Sequence, residues 1–288
     1  FILDNLSTGY TPLLCKKAQF IKADIKNLKK VKSIIKINNI DTIFHLAACL
    51  NIKEAETNKK KYYLNNIKGT LNLVNACKNS NVKNIIFSSS CSVYGKVKKP
   101  VSEKKRLNPK GYYAYTKVSS EKIIKKYANK FGYKYAILRY FNVVGASQSK
   151  KIGEIQGSHD HLFKNIAIQS QIKKPQISIY GANYQTKDGT CVRDYMHVSD
   201  LADIHLKTLR YMLVKSRSII LNCGYGKGYS VLEIIEAFKK IKKNVHVKIK
   251  DKRKGDVAEV FANINKLTRV LKWIPKHNSV IKLLNSSI

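Results

Sequence analysis

Apolar residues fall into two rhythms along the first half of the chain. Short runs come first: Phe1-Ile2-Leu3 closing on Asp4, residues 18–23, Thr42-Ile43-Phe44-His45-Leu46 stopping at Ala47-Ala48, residues 84–88, and residues 135–139. Between them lie stretches of helical period: residues 28–37, residues 62–78 with Leu71, Val74 and Asn75 on adjoining turns, and a long stretch from 116 to 130. Strand and helix in alternation predict an α/β fold, a doubly wound parallel sheet with helices on both faces. Such sheets collect ligands at the carboxyl ends of their strands. Asp4, Ala47-Ala48, Ser88 to Ser90 and Tyr140-Phe141-Asn142 all fall on that rim.

The second half is less regular. Glycine and polar residues mark loops at 145–157 and 181–189. Strands are expected at 177–180 and 219–221, and helices at 199–215 and 231–242, with Ser199 and Ser230 as caps. This divides the chain into a Rossmann-like dinucleotide domain at 1–145 and a smaller mixed α/β substrate domain at 146–288. Segments around 190–215 are expected to return to the first domain. The sequence opens inside a strand and contains no G-x-x-G-x-x-G. In the usual strand order the first strand is central and carries the glycine-rich turn. The reading is therefore of an amino-terminally incomplete sheet. Its first two strands lack a neighbour, and as written it is not expected to retain a dinucleotide.

The chemistry gathers at the end of the fourth run. Tyr113 and Lys117 stand four residues apart at the opening of the long helix, downstream of Ser88-Ser89-Ser90. A tyrosine hydroxyl titrates near ~10 and is a poor base at neutral pH. A lysine one turn away shares its face and favours the phenolate. A serine hydroxyl can hydrogen-bond the reacting oxygen. Together they can take a proton from an alcohol while a hydride leaves the same carbon. The spacing alone is weak evidence, because the chain has 17 tyrosines, and Tyr94/Lys98 and Tyr211/Lys215 repeat it. Only Tyr113 combines an upstream apolar strand ending in serines, a loop with Pro109 and Gly111, and a long helix.

Composition narrows the setting. No apolar stretch approaches the ~20 residues of a membrane span, and no secretory leader is read. Six dispersed cysteines form no C-x-x-C pair. They suit a reducing cytoplasm better than a disulfide framework or a zinc site. Lys and Arg total 55 against 18 acidic residues, a formal net charge of +37. Such an excess can mean a nucleic-acid partner. Here the lysines are spread in short runs over helix faces and loops, without a nucleic-acid motif. Lysine, asparagine and isoleucine, all abundant, share codons made only of A and T. Solvated faces are the preferred reading, and a polyanion role is the alternative.

Long motifs resemble the UDP-glucose 4-epimerase (UDP-galactose 4-epimerase) family of extended short-chain dehydrogenases/reductases, over nearly the whole chain. They are Leu3-Asp4-Asn5-Leu6-Ser7-Thr8-Gly9, Phe44-His45-Leu46-Ala47-Ala48, residues 62–70, Phe87 to Gly95 (FSSSCSVYG), Tyr113 to Lys117 and Leu138 to Gly145 (LRYFNVVG). The most specific is Asp188-Gly189-Thr190-Cys191-Val192-Arg193-Asp194-Tyr195-Met196-His197-Val198, with Asp200-Leu201-Ala202 behind it. Asn222 to Gly226 and Arg253-Lys254-Gly255-Asp256 complete the set.

The resemblance implies a tightly held NAD that is not consumed. It assigns Asp4 and Asn5 to the adenosine ribose, Asp24 and Ile25 to the adenine, and Leu46, Ala47 and Ala48 to the cofactor groove. Asn66 and Phe141 are further cofactor contacts, beside Ser90, Tyr113 and Lys117. Asp4 read alone could equally start a turn, and Phe141 could be core. Asn142, His161, Leu162, Tyr180, Arg193 and Arg253 match the uridine diphosphate pocket, and Val260 stands at the position that gates the sugar. Arg193 beside Asp194 could otherwise be a surface ion pair. His161 shares a loop with His159 and Asp160, yet no further ligand has metal-binding spacing. The implied mechanism oxidises C4 of UDP-glucose or UDP-galactose, turns the 4-keto sugar and reduces its other face. A homodimer is implied as well. Leu50 and Lys164 depart from the family, where lysine and proline are common. A 4,6-dehydratase would need an acid pair where Ser90-Cys91-Ser92 stands. Another nucleotide-sugar epimerase, a decarboxylase, or an inactive basic fragment that binds polyanions remain the alternatives.

Overall fold

The computed structural model describes residues 1–96, 100–149, 151–155, 161–253 and 255–288. Among the positions singled out above, Lys98, Gly157, His159, Asp160 and Lys254 lie outside the described residues. In chain order the elements begin with β1 (Ile2–Asp4), β2 (Phe20–Lys22), α1 (Leu28–Ile37), β3 (Thr42–His45), α2 (Ile52–Thr57) and α3 (Lys59–Tyr62). A π-helical turn, Tyr63–Lys68, leads into α4 (Gly69–Ala76), followed by β4 (Asn84–Ser90), α5 (Tyr112–Phe131) and β5 (Lys134–Tyr140). Next come β6 (Asn142–Val144), α6 (Leu162–Ser170), β7 (Gln176–Tyr180), β8 (Val192–Arg193), β9 (Tyr195–His197), α7 (Val198–Lys215) and β10 (Ile219–Cys223). The chain closes with β11 (Tyr229–Ser230), α8 (Val231–Ile241), β12 (His246–Lys250), β13 (Glu259–Val260), α9 (Asn265–Leu271) and α10 (Val280–Ser287).

The chain forms two compact units, where the sequence predicts a division at 145 with segments around 190–215 returning to the first domain. The first unit comprises Phe1–Val93, Leu107–Leu138 and Thr208–Ile220; the second comprises Tyr94–Arg106, Arg139–Lys207 and Leu221–Ile288. The chain passes between the units five times, and three of those crossings fall inside elements, in β5, α7 and β10. Residues 94–106 and 139–145 therefore belong with the second unit, and it is the end of α7, not residues 190–207, that returns to the first.

In the first unit β3 and β4 run parallel, pairing Thr42 with Asn84 through His45 with Phe87. The sheet order is β10-β5-β4-β3. Strands β1 and β2 pair in parallel, with no further strand beside them among the described residues. The core forms where helix stripes meet the sheet: Val31 and Ile35 of α1, Leu73 and Val74 of α4, and Ile124 and Ala128 of α5 close on Ile85, Phe87 and Ile137. Each such side chain contributes roughly 1.5–3 kcal/mol by leaving water. Helix α1 starts where the Asn27 side chain accepts from Lys30 N–H. Helix α5 stops at Gly132, whose φ of 79° is left-handed.

The second unit holds small parallel pairs, β6 with β9 and β7 with β12, and a three-stranded sheet in the order β11-β8-β13. Ser230 caps α8 in a reciprocal box with Glu233, as the serine at its start suggested. Ser199 does not cap α7. The helix begins one residue earlier, and Ser199 donates its N–H to His197 Nδ1, so the imidazole does the work expected of the hydroxyl.

Candidate active site

The end of β4 and the first turns of α5 lie face to face in the first unit. Helix α5 opens after Gly111, whose φ of 86° suits glycine. Tyr112 N–H, left without an intrahelical acceptor, donates to Glu56 Oε1 at 2.6 Å. One turn in, Lys117 is 2% exposed and donates to the Ser88 carbonyl at 2.7 Å. Its ammonium lies 5.0 Å from the Phe87 ring centre and 5.9 Å from that of Tyr113. Tyr113 packs with Ala55 and Tyr62, and its hydroxyl interacts with the Ser90 side chain. Ser90 Oγ in turn accepts from Ser92 Oγ at 3.0 Å. Ser90, Tyr113 and Lys117, read together from the sequence, are thus placed together.

Burial governs the electrostatics here. It pushes the Tyr113 phenol far above its ordinary range, while the contact with Ser90 pulls the other way. The lysine was expected to draw the tyrosine down. In this arrangement burial dominates, because the ammonium is turned to the Ser88 carbonyl. Burial also lowers Lys117, to about 8, against the raising effect of Glu121.

A buried polar network supports the site from the π-helical turn, a feature often found at functional sites. Asn66 donates to Thr116 Oγ1 at 3.1 Å and to the Cys49 carbonyl at 3.1 Å, and accepts from Cys49 N–H at 2.8 Å. Its own carbonyl accepts from Thr70 Oγ1 and Ser120 Oγ. The Asn66 side chain is therefore committed to holding the loop after β3 against α5. The period of residues 62–78 signalled a helix, and nothing in it signalled the change of winding.

The other strand ends of this unit carry the remaining positions read as cofactor contacts. Asp4 Oδ1 accepts from Leu6 N–H at 2.6 Å, and its second oxygen makes no hydrogen bond among the described residues. A side chain at Gly9 would strike Asp4 Oδ1 at 2.8 Å, which explains the glycine that closes this motif. Asn5 donates to Asp24 Oδ2 at 3.0 Å, so the ends of β1 and β2 meet. Burial opposes the Asp24 charge, but bonds from Lys26 N–H and Asn5 outweigh it and lower its pKa. Ile25 is buried and packs on Gly69 of α4. Leu46 and Ala47 are exposed and Ala48 half-buried beyond β3. Two features suit a dinucleotide. Asp4 keeps a free acceptor at a strand end, where a ribose hydroxyl can donate. Lys117 is a buried cation with a single hydrogen bond among the described residues, leaving N–H donors for further hydroxyls.

In the second unit, Asn142 at the start of β6 pairs with Tyr195, and its N–H donates to the Asp194 carbonyl. Arg193 on β8 pairs with Val260 on β13 and lies 3.8 Å from Asp256. Asp194 is not its surface partner. It is buried and accepts from the N–H groups of Tyr225, Gly226 and Ala262. Burial outweighs those three bonds and raises Asp194 to about 6. The Arg253 guanidinium stacks 3.8 Å over the Tyr180 ring. An open cavity of about 860 Å³ lies at the ends of β7 and β12, bounded by Tyr180, Lys250 and Lys252 among others. His161 is exposed at the position before α6, 3.5 Å from Glu154 and with no side-chain capping bond; Leu162 begins that helix, and Phe163 packs 5.0 Å from Tyr195. Phe141 is buried behind Asn142, and its N–H donates to the Cys223 carbonyl. Among the described residues no group of three His, Cys, Asp or Glu side chains is placed to hold a metal.

A family model described as "NAD dependent epimerase/dehydratase family" matches residues 1–224. The chain belongs to that family. Among its relatives, the UDP-glucose 4-epimerase of Lactobacillus helveticus is 39% identical over 281 residues, covering 97% of this chain and 85% of the relative. The fold resembles that of a UDP-glucose 4-epimerase from Stenotrophomonas maltophila with bound NAD and formylated UDP-arabinopyranose. The TM-score is 0.92 at 32% identity, over 99% of this chain and 88% of that one. It also resembles the UDP-Glc/GlcNAc 4-epimerase of Campylobacter jejuni, with a TM-score of 0.83 at 34% identity over 99% and 89% of the two chains.

Within this family frame, sequence reasoning overlooked three contributors. The Ser88 carbonyl anchors Lys117, yet a backbone acceptor leaves no mark in a sequence. Thr116 locks α5 to the π-helical turn through Asn66, which had been read only as a cofactor contact, and their pairing joins residues 50 positions apart. Ser89 and Glu121 form a buried pair whose only trace was an acidic residue on an otherwise basic helix.

Proposed function

We propose that this chain interconverts UDP-glucose and UDP-galactose by inverting the configuration at C4 of the sugar. It is an NAD-dependent epimerase. The observation that carries the reading is Tyr113 set against Ser90 and Lys117, in a chain that matches UDP-glucose 4-epimerases over nearly all of its length. NAD, when bound, takes the hydride from C4 and gives it back.

The residues supply the proton chemistry and the binding. Tyr113 takes the 4-hydroxyl proton and later returns one to the same oxygen. Burial opposes its phenolate, so it needs the Lys117 charge beside it and the hydroxyl of Ser90 on the oxygen. Lys117 also offers donors to the nicotinamide ribose. Asp4 accepts from the adenosine ribose, with Asn5, Asp24 and Ile25 lining the adenine end and the small Ala47 and Ala48 allowing close approach. Asn66 acts by fixing the loop at Cys49 rather than by touching the cofactor.

For the substrate, Arg193 and Arg253 provide guanidinium forks for the diphosphate, and Tyr180 provides an aromatic face. Asn142, His161 and Leu162 complete the uridine diphosphate pocket, and Val260 borders the sugar beside Arg193. A homodimer fits an uncovered patch in the first unit, where Tyr63 and Tyr115 lie exposed around Tyr112. The free cysteines suit a reducing, cytoplasmic setting. The test is to give the protein UDP-galactose with a trace of NAD. A mixture of both UDP-hexoses, without net NADH, is expected. NADH accumulating in step with sugar consumed, or no UDP-glucose at all, would overturn the reading.

A further inference from the structure

We infer that Glu56 is a positioning residue for this reaction: reaching over from α2, its side chain caps the first turn of α5 and so holds the Tyr113 hydroxyl in place. The inference rests on Tyr113 being the working group proposed above.

Tyr113 is the second residue of α5. Helix ends fray first, so a reacting side chain at that position needs its opening turn held. The ladder of α5 starts with Tyr115 N–H donating to the Gly111 carbonyl at 3.1 Å. The N–H groups of Tyr112, Tyr113 and Ala114 therefore have no acceptor within the helix. A serine, threonine or aspartate just before a helix ordinarily takes one of them. Here that position is Gly111, at φ 86° and ψ 161°, a conformation that suits glycine almost alone. Any side chain there would be strained, and the helix has no cap of its own. The cap comes from 56 positions upstream, where Glu56 Oε1 accepts from Tyr112 N–H at 2.6 Å. The glycine also leaves room for it, since a Cβ at Gly111 would lie 2.8 Å from that same oxygen.

The short helix that carries Glu56 is itself anchored. At its start the Asn51 side chain accepts from Glu54 N–H at 3.0 Å, and the Tyr62 hydroxyl donates to the Asn51 carbonyl at 2.5 Å. Ala55, next to Glu56, is fully buried in one cluster with Tyr62 and Tyr113. Helix α2 thus grips the opening of α5 twice, by Ala55 in the cluster with Tyr113 and by Glu56 on the backbone of Tyr112. Glu56 is exposed, so water can replace its oxygen on that N–H. Water, however, ties the helix to nothing. What Glu56 contributes is the tether, and its loss shows as looser placement of the phenol rather than as failed folding.

The experiment compares Glu56→Ala with Glu56→Gln, on UDP-galactose at saturating NAD. Alanine removes the acceptor and is a good helix former. Its kcat should fall about three- to tenfold, the size of a lost cap read as a rate, with KM held within about twofold and a cooperative melt. Glutamine keeps an oxygen at the same reach, and amides cap helices about as well as carboxylates, so it should keep at least about half of kcat. Amide exchange reads the same effect without turnover. The Tyr115 N–H, first in the ladder, should exchange faster in Glu56→Ala and at the wild-type rate in Glu56→Gln. A kcat in Glu56→Ala within about twofold of wild type overturns the inference. So does a glutamine variant as slow as the alanine one, or equal exchange in all three proteins. If Glu56→Ala does not melt cooperatively, Glu56→Met, which keeps the stem and lacks the acceptor, takes its place under the same criteria. Full activity in Tyr113→Phe would overturn the underlying reading and this inference together. Loss of activity there with an unchanged Glu56→Ala removes the inference alone.

Discussion

Tyr113 is asked to release a proton in surroundings that favour keeping it, and the residues around it are there to reverse that preference. Its partner Lys117 is itself lowered to about 8 by burial. Turnover should therefore hold through neutral pH and decline above about pH 8 as the ammonium is lost, which a kcat profile measures directly. Val260 carries the matter of sugar range. It is nearly buried and paired with Arg193, so a tyrosine there would fill space beside the sugar. The wild type should act on UDP-N-acetylglucosamine, more slowly than on UDP-glucose, because volume without hydrogen-bond partners adds little affinity. Val260→Tyr should lower the ratio of the N-acetylated to the plain activity. An unchanged ratio would show that Val260 is not the gate. Ser90, Tyr113 and Lys117 were legible because side-chain type and helical spacing encode them. The Ser88 carbonyl was not, since every residue has one.

At the scale of elements, regular periods were read well and local exceptions were not. The stripe at Val31, Ile34 and Ile35 placed α1, and the serine before Val231 placed α8 with its cap. The turn at Tyr63–Lys68 escaped notice because π and α winding expose nearly the same apolar face over so short a span. Asn66 supplies its purpose. Asn66→Ala would strand the Cys49 N–H and loosen α5, at a cost of about 1–3 kcal/mol for the unsatisfied group. Denaturant melts should show that loss. A surface ion pair between Arg193 and Asp194 was the alternative that adjacency in sequence left open, and the structure does not take it up. Asp194 instead gathers three backbone N–H groups from distant segments. Asp194→Asn offers one oxygen where the carboxylate offers two. It should destabilise by about 1–3 kcal/mol for each N–H left without an acceptor. A melt unchanged from wild type would contradict this account of Asp194.

For the whole molecule, the α/β class followed from alternation, but the division into units did not. The sequence suggested a boundary at 145 with a return around 190–215, while β5, α7 and β10 each pass from one unit to the other along their length. Periodicity marks where an element lies and is silent on which body its two ends join. The net charge of +37 belongs to this scale too. Repulsion among lysines weakens the folded state, so the melting temperature should rise with added salt. The rise should be steepest below about 0.15 M, as the screening length falls from about 30 to 8 Å. A melt indifferent to salt would mean that the lysines are locally balanced.

The central claim is that Tyr113 moves the proton in a C4 inversion. The most direct measurement is conversion of UDP-galactose by Tyr113→Phe beside the wild type, with substrate binding and thermal melting followed on the same samples. Turnover should fall by about 10²–10⁴-fold while binding and melting stay level. Near-normal turnover in the variant would contradict the claim.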